Sequence, residues 1–214
     1  RVRNSMSSKA TPPQPRNKPL KRPTQARAKV TVQAIFDTYV RIWQRDGWER
    51  ITTRAVALEA GVSRVILSSS GATANGYELH EPYKTLVSTE DLPLPDSWEM
   101  VNEQSEPKPI SLYGVTKLFG EDLGRYYTLT TPMSVINLRI SSCGPVDEAA
   151  PGRAQANWSS HRDLQQLTVK IIEAPADLKF DIFWATSDNV KKFRDNQHAK
   201  DVLGYAPQDG VGKV

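Results

Sequence analysis

Near the front of the chain, apolar residues recur at Val32, Ile35, Phe36, Tyr39, Val40 and Trp43. These spacings of three and four line one face of an amphipathic helix. Gly47 follows, suited to a left-handed C-cap. A shorter helix is predicted over residues 54–60, capped by Thr52 or Thr53 and ended by Gly61. Then the period changes. Val65, Ile66 and Leu67 run without interruption into Ser68, Ser69 and Ser70, which reads as a buried parallel strand whose C-terminal end carries hydroxyls. The helical spacing returns over residues 111–127, with Leu112, Val115, Leu118, Phe119 and Leu123 available for packing. A second strand is predicted over Ser134–Ile140, with Ser141, Ser142, Cys143, Gly144 and Pro145 after it.

Charge divides the chain more sharply than its sum suggests. Residues 1–63 hold 13 Lys/Arg against 4 Asp/Glu, a net of +9, and residues 64–214 hold 15 against 20, a net of −5, together the +4 of the whole. A basic front suits phosphate backbones, and a solvated tail accounts for it equally well. Residues 1–25, with Pro12, Pro13, Pro15, Pro19 and Pro23 among Lys and Arg, are expected to form a flexible arm. At 38% hydrophobic the chain can build a core, yet no apolar run approaches the ~18–20 residues of a membrane span, and no signal peptide is seen. A soluble, cytoplasmic protein is expected. Cys143 is the single cysteine, and His80, His161 and His198 lie far apart, so no metal site is expected.

Tyr113 and Lys117 are four apart and project from one face of the helix over residues 111–127. A nearby ammonium favours a phenolate over a phenol, and a phenolate can serve as general base. Spacing alone is weak, because an exposed Tyr and Lys on a solvated face fit it too. The order of elements says more. A serine-ended strand, then Tyr113-Gly-Val-Thr-Lys117, then "SVINLRI" with "SSCGP" after it resembles the extended short-chain dehydrogenase/reductases, the NAD-dependent epimerase/dehydratase family. Within that family "LYGVTKLFGEDLGRYY", "LRISSCGP", "NWSSHRDLQQLTVKIIEAP" and the tail "FDIFWATSDNVKKFRDNQHAKDVLGYAPQDG" look most like uronate dehydrogenases. The likeness covers residues 64–214. It implies an α/β fold, a partial Rossmann-like, doubly wound parallel sheet lacking its N-terminal half and preceded by a short helical segment.

What the resemblance implies for the site follows residue by residue. Tyr113 would take the substrate hydroxyl proton, and Lys117 would assist it and hold the nicotinamide ribose of NAD or NADP. Ser70, preferred over Ser69 from the count to Gly76-Tyr77, would polarise the reacting oxygen. Ile140, Ser141, Ser142 and Cys143 would line the nicotinamide and substrate end. Asn157, Ser159 and Arg162 are candidate substrate contacts, although a polar helix start explains them as simply. The substrate would be a sugar or sugar acid. The 42 residues between Ser70 and Tyr113 exceed what such enzymes use, so the stretch around "TEDLPLPDSWEM" is expected to be a surface insertion near the substrate mouth.

The front of the chain resembles something else. "AIFDTYVRIWQRDGWERITTRAVALEAGVS" is similar to the N-terminal helix-turn-helix of TetR-family repressors over residues 26–63, but the sequence turns to Arg64-Val65-Ile66-Leu67 where the recognition helix should follow. Contacts from the basic arm to phosphates would then carry no sequence information, leaving weak non-specific nucleic-acid binding. Upstream of Arg64 nothing supplies the glycine-rich phosphate turn of a dinucleotide fold, because Gly47 is the only glycine before Gly61. Poor NAD binding by the isolated chain is therefore expected, with an open strand edge that invites self-association or a homodimer. A DNA-binding regulator and a catalytically silent remnant stand as the alternatives to an oxidoreductase.

Overall fold

The computed structural model describes residues 34, 37–42, 44–47, 63–90 and 92–212. The chain divides into two compact units, Arg1–Gly61 and Val62–Val214. In the first, residues 37–42 and 44–46 are helical and Gly47 has a φ of 84°, a left-handed conformation that a glycine adopts without a Cβ clash. Tyr39 and Val40, expected to face inward, are 47% and 41% exposed, whereas Thr38 and Ile42 are buried. Helical spacing defines faces, and contact selects among them. The arm over residues 1–25 and the second helix of the repressor-like segment lie outside the described residues.

The second unit is built on three parallel strands in the order β1 (Arg64–Ser70), β2 (Ser134–Ile140), β3 (Phe180–Ala185). Ile66 sits beside Ile136, and Ile136 beside Asp181. Among the described residues no strand pairs with the outer edge of β1. After β1 comes a 3-10 helix, Gly71–Leu79, broken at Ala74, then α1 (Tyr83–Leu86). The long α2 (Leu112–Thr130) crosses back to β2. Between β2 and β3 lie α3 (Arg153–Asn157) and α4 (His161–Glu173), and α5 (Gln197–Leu203) follows β3.

β2 is buried along nearly its whole length, as expected of a central parallel strand covered on both faces. Ile136 and Leu138 join Phe183 and Ala185 from β3, Leu167 and Ile171 from α4, Ala199 from α5, and Tyr205 in one apolar core. The opposite face carries Asn137 and Arg139 and is covered by α2. That helix does not pack through its apolar stripe. Leu112, Val115, Phe119 and Leu123 are 85%, 49%, 67% and 38% exposed, while Gly114, Glu121 and Gly124 are buried. A Cβ on Gly124 would lie 2.8 Å from the Val135 Cγ1, so at that turn the helix is too close to the sheet for a side chain. Close approach selects the glycine face, and the amphipathic stripe is left outward.

A second apolar cluster sits beyond the C-terminal ends of the strands, joining Tyr83, Leu86, Val101, Ala156, Trp184 and Phe193. Tyr83 meets Tyr77 edge-on at 5.5 Å and Phe193 at 5.2 Å. The long segment between α1 and α2, expected as a surface insertion, is anchored here. Trp98 donates its ring N–H to the Lys192 carbonyl at 2.9 Å, and Val101 pairs in parallel with Arg194. At the other end of the sheet the Arg64 guanidinium donates to the carbonyls of Ile171, Ala174, Pro175 and Leu178, capping the C-terminus of α4 and the turn after it. The first residue after the change of sequence character thus belongs physically to the sheet.

Candidate active site

The turn after β1 and the first turns of α2 meet at the C-terminal end of the sheet, where open α/β folds place their ligands. Ser111 caps α2, its hydroxyl accepting from the Gly114 N–H at 3.1 Å. A Cβ on Gly114 would lie 2.5 Å from the Ala72 carbonyl oxygen, so the start of the helix abuts the turn that follows Ser70. Alternation along β1 sends neighbouring serines to opposite sides. Ser69 is buried, and its hydroxyl donates to Glu121 Oε1. Ser70 is half-buried and caps the 3-10 helix, accepting from the Ala72 N–H at 3.2 Å.

Tyr113 is 56% exposed at the head of α2. One turn later the Lys117 ammonium donates to the Ser68 carbonyl at 2.7 Å and lies 5.2 Å from the Tyr113 ring centroid. Behind them Arg139 of β2 forms a bidentate pair with Glu121, at 3.0 and 2.8 Å, with both side chains 4% exposed. The structure therefore brings Ser70, Tyr113 and Lys117 to one end of β1. A buried charge pair locks their helix to two strands.

Ile140 ends β2, and Ser141 and Ser142 continue beside Trp158 and Asn157. Ser142 donates its N–H to the Asn157 carbonyl at 2.7 Å and accepts from the Ser159 N–H at 2.8 Å. The Ser141 hydroxyl is buried and has no partner among the described residues. Cys143 is exposed, with burial of the sulfur and then Asp147 pushing the thiol up.

The remaining candidates separate. The Asn157 side chain donates to the Arg153 carbonyl at 3.2 Å and approaches Glu78 at 3.5 Å, while its amide oxygen Oδ1 is buried and has no partner among the described residues. Ser159 donates to the Ala185 carbonyl, and Arg162 pairs with Asp209 at the start of α4. Both are engaged by the protein itself. Two arginines that sequence reasoning missed lie where Asn157 does. Arg153 pairs with Glu78 and donates to Asn75 at 2.7 Å. Arg194, fully buried, donates to Glu78 at 3.0 Å, Asn75 at 2.9 Å and the Gly71 carbonyl at 3.1 Å. Burial pushes its guanidinium down to about 9, with Glu78 opposing and Arg153 and Arg139 adding to the shift. Helical spacing from Asn157 back to Arg153 was the only local hint, and nothing local pairs Glu78 with Arg194.

Among the described residues no cluster of three or more His, Cys, Asp or Glu could hold a metal ion, and no helix is long and apolar enough to cross a membrane. For a dinucleotide, the groups at this end of the sheet that could make polar contacts are Lys117 and the Ser141 hydroxyl. No described residue forms a glycine-rich turn for the pyrophosphate.

A three-stranded parallel sheet flanked by helices defines a partial Rossmann-like unit, with Ser70, Tyr113 and Lys117 near the C-terminal end of its first strand. No protein-family profile matches the chain. Its C-terminal region nevertheless resembles the uronate dehydrogenases and related NAD-dependent sugar dehydrogenases. It is 36% identical over 168 residues to an NAD-dependent glucose-6-phosphate dehydrogenase of Haloferax volcanii, covering 77% of this chain and 59% of that one. Against a uronate dehydrogenase of Pseudomonas putida it is 29% identical over 153 residues, 72% of this chain and 49% of the relative. Among solved structures, uronate dehydrogenase from Agrobacterium tumefaciens, a variant complexed with NAD, superposes with a TM-score of 0.58 at 28% identity, covering 74% of this chain and 51% of the other. The chain spans about half the length of these relatives.

Proposed function

We propose that the α/β unit is the substrate side of an NAD-dependent dehydrogenase acting on a sugar acid or a phosphorylated sugar. The observation that carries this reading is the junction of α2 with the turn after β1. There Gly114 abuts Ala72, placing exposed Tyr113 and the Ser68-bound Lys117 beside the Ser70 turn. In this reading the Tyr113 phenolic oxygen takes the proton of a sugar hydroxyl as its carbon becomes a carbonyl. The Ser70 hydroxyl, already accepting from Ala72, keeps its hydrogen free to donate to the reacting oxygen. The Lys117 ammonium, one turn along the same helix and held by the Ser68 carbonyl, is the donor available to the hydroxyls of a bound cofactor. NAD, when bound, is the hydride acceptor. Arg153, the 44% exposed first residue of α3, bonded to Asn75 in the 3-10 helix that follows Ser70, is a cation available to an anionic sugar.

Within these 214 residues the affinity for NAD is expected to be low, because no glycine-rich turn precedes β1. The test is titration of the folded chain with NAD by calorimetry, followed by NADH formation from glucuronate, galacturonate and glucose 6-phosphate. Tyr113→Phe removes only the phenolic oxygen, so it should lower kcat by at least about 100-fold without changing the circular dichroism. A variant as active as the parent rules out Tyr113 as the base. The regulator reading of residues 26–63 rests on sequence alone, and discrimination between operator and random DNA is what would revive it.

A further inference from the structure

Against the 3-10 helix that follows Ser70 three charges are stacked in order of burial. The Arg194 side chain is 1% exposed, Glu78 10% and Arg153 44%. Glu78 is shared between them. Its Oε1 accepts from Arg194 at 3.0 Å and from Arg153 at 2.7 Å, and its Oε2 accepts from the Arg153 Nε. The Asn75 side-chain oxygen Oδ1 is shared in the same way, at 2.9 Å and 2.7 Å. The nearby Arg139 is already neutralised by its own partner, Glu121. One carboxylate therefore serves two guanidinium groups, and the cluster holds an excess positive charge. Nε and Nη1 of Arg194 have no hydrogen-bond partner among the described residues, so no further acceptor there cancels that excess.

Arg194 has no freedom to leave. Its guanidinium lies 5.2 Å from the Trp184 ring and 5.3 Å from that of Phe193, and a Cβ on Gly71 would stand 2.5 Å from its Nη1. Gly71 directly follows Ser70, so the same guanidinium supports the turn that carries the proposed catalytic serine.

Without the buried cation, Glu78 and Arg153 would form a neutral pair with little pull on an anion. We infer that Arg194 is a specificity-determining positioning residue. By holding Glu78 from beneath, it leaves Arg153 charge-unbalanced beside the turn after Ser70 and makes the site select sugars that carry an anionic group. The inference rests on the proposed substrate side but requires neither cofactor nor turnover.

Binding of glucuronate and of neutral glucose to the full chain, measured by calorimetry at low and high salt, tests it. The parent should prefer glucuronate by at least about tenfold, less so as salt rises. Arg194→Met should remove most of that preference. The double variant Glu78→Gln with Arg194→Met leaves Arg153 alone and should restore it, which a merely structural role for Arg194 does not predict. Glu78→Gln by itself should raise the preference and steepen its salt dependence, and this arm decides the matter should the Met variants not fold. The inference is overturned if the parent does not discriminate, if Arg194→Met keeps the parental preference, if the folded double variant fails to regain it, or if Glu78→Gln leaves it unchanged. Discrimination that persists while saturating NAD yields no NADH would sink the dehydrogenase reading alone.

Discussion

Replacing Glu121 by Leu should be among the most damaging single changes in the α/β unit. Glu121 reaches from α2 to both β1 and β2, accepting from the Ser69 hydroxyl and, at 3.0 and 2.8 Å, from the Arg139 guanidinium. Both charged side chains are 4% exposed, so water cannot take over the role of the lost carboxylate. The Arg139 charge would be left with the Trp184 ring face, 5.2 Å away, and the more distant carboxylate of Glu103. Removing one partner of such a buried pair costs about 3–5 kcal/mol, and the orphaned Ser69 hydroxyl adds about 1 kcal/mol. Adding Arg139→Met removes the stranded charge, and the double variant should recover most of the loss, since apolar replacement of both partners is often close to neutral. Urea unfolding of the two single variants and the double, followed by Trp fluorescence and circular dichroism, yields the coupling energy. A loss below about 1 kcal/mol for Glu121→Leu, or additivity with Arg139→Met, would refute the claim that this pair locks α2 to the sheet.

Two glycines of α2 should respond to alanine with opposite signs. A methyl at Gly124 meets Val135 at 2.8 Å, where a buried strand residue must move, whereas one at Gly120 meets only Leu67 at an ordinary 3.4 Å. Gly120→Ala should stabilise by up to about 1 kcal/mol through helix propensity, and Gly124→Ala should destabilise by roughly 1–2 kcal/mol despite the same gain. Equal shifts in the melting temperatures of the two variants would show that α2 does not approach the sheet closely. Asp188 makes the stability depend on acid. Burial works against its charge, but hydrogen bonds from Lys192, Asn196 and Lys200 outweigh it and hold the carboxyl down at about 2, below its ordinary 3.8. Because the folded value is the lower one, this contribution is complete above the ordinary value and vanishes as pH falls through about 2. Asp188→Asn should cost on the order of 1–2 kcal/mol at pH 7, allowing for its partial exposure, and almost nothing at pH 2. A difference from the parent that does not change with pH would dispose of this account.

Local patterns in the sequence were enough to place β1, α2 and β2, because an uninterrupted apolar run and a spacing of three and four are properties of neighbouring residues. The same patterns put Ser70, Tyr113 and Lys117 in an order that resembles a dehydrogenase. They also indicated a left-handed Gly47 at the end of a helix. Alternation along β1 implied that Ser69 and Ser70 diverge, but not which faces inward. That was decided by Glu121 and Arg139, 52 and 70 residues further along. The amphipathic stripe of α2 suggested the wrong packing face, because periodicity measures how apolar a line of residues is, not how near the neighbouring backbone comes. Glycine won that face by size. The charge stack against the 3-10 helix was not legible at all, since Glu78 meets Arg153 across 75 residues and Arg194 across 116. Side chains so far apart leave no periodic trace, and their pairing becomes favourable only once the fold has removed them together from water.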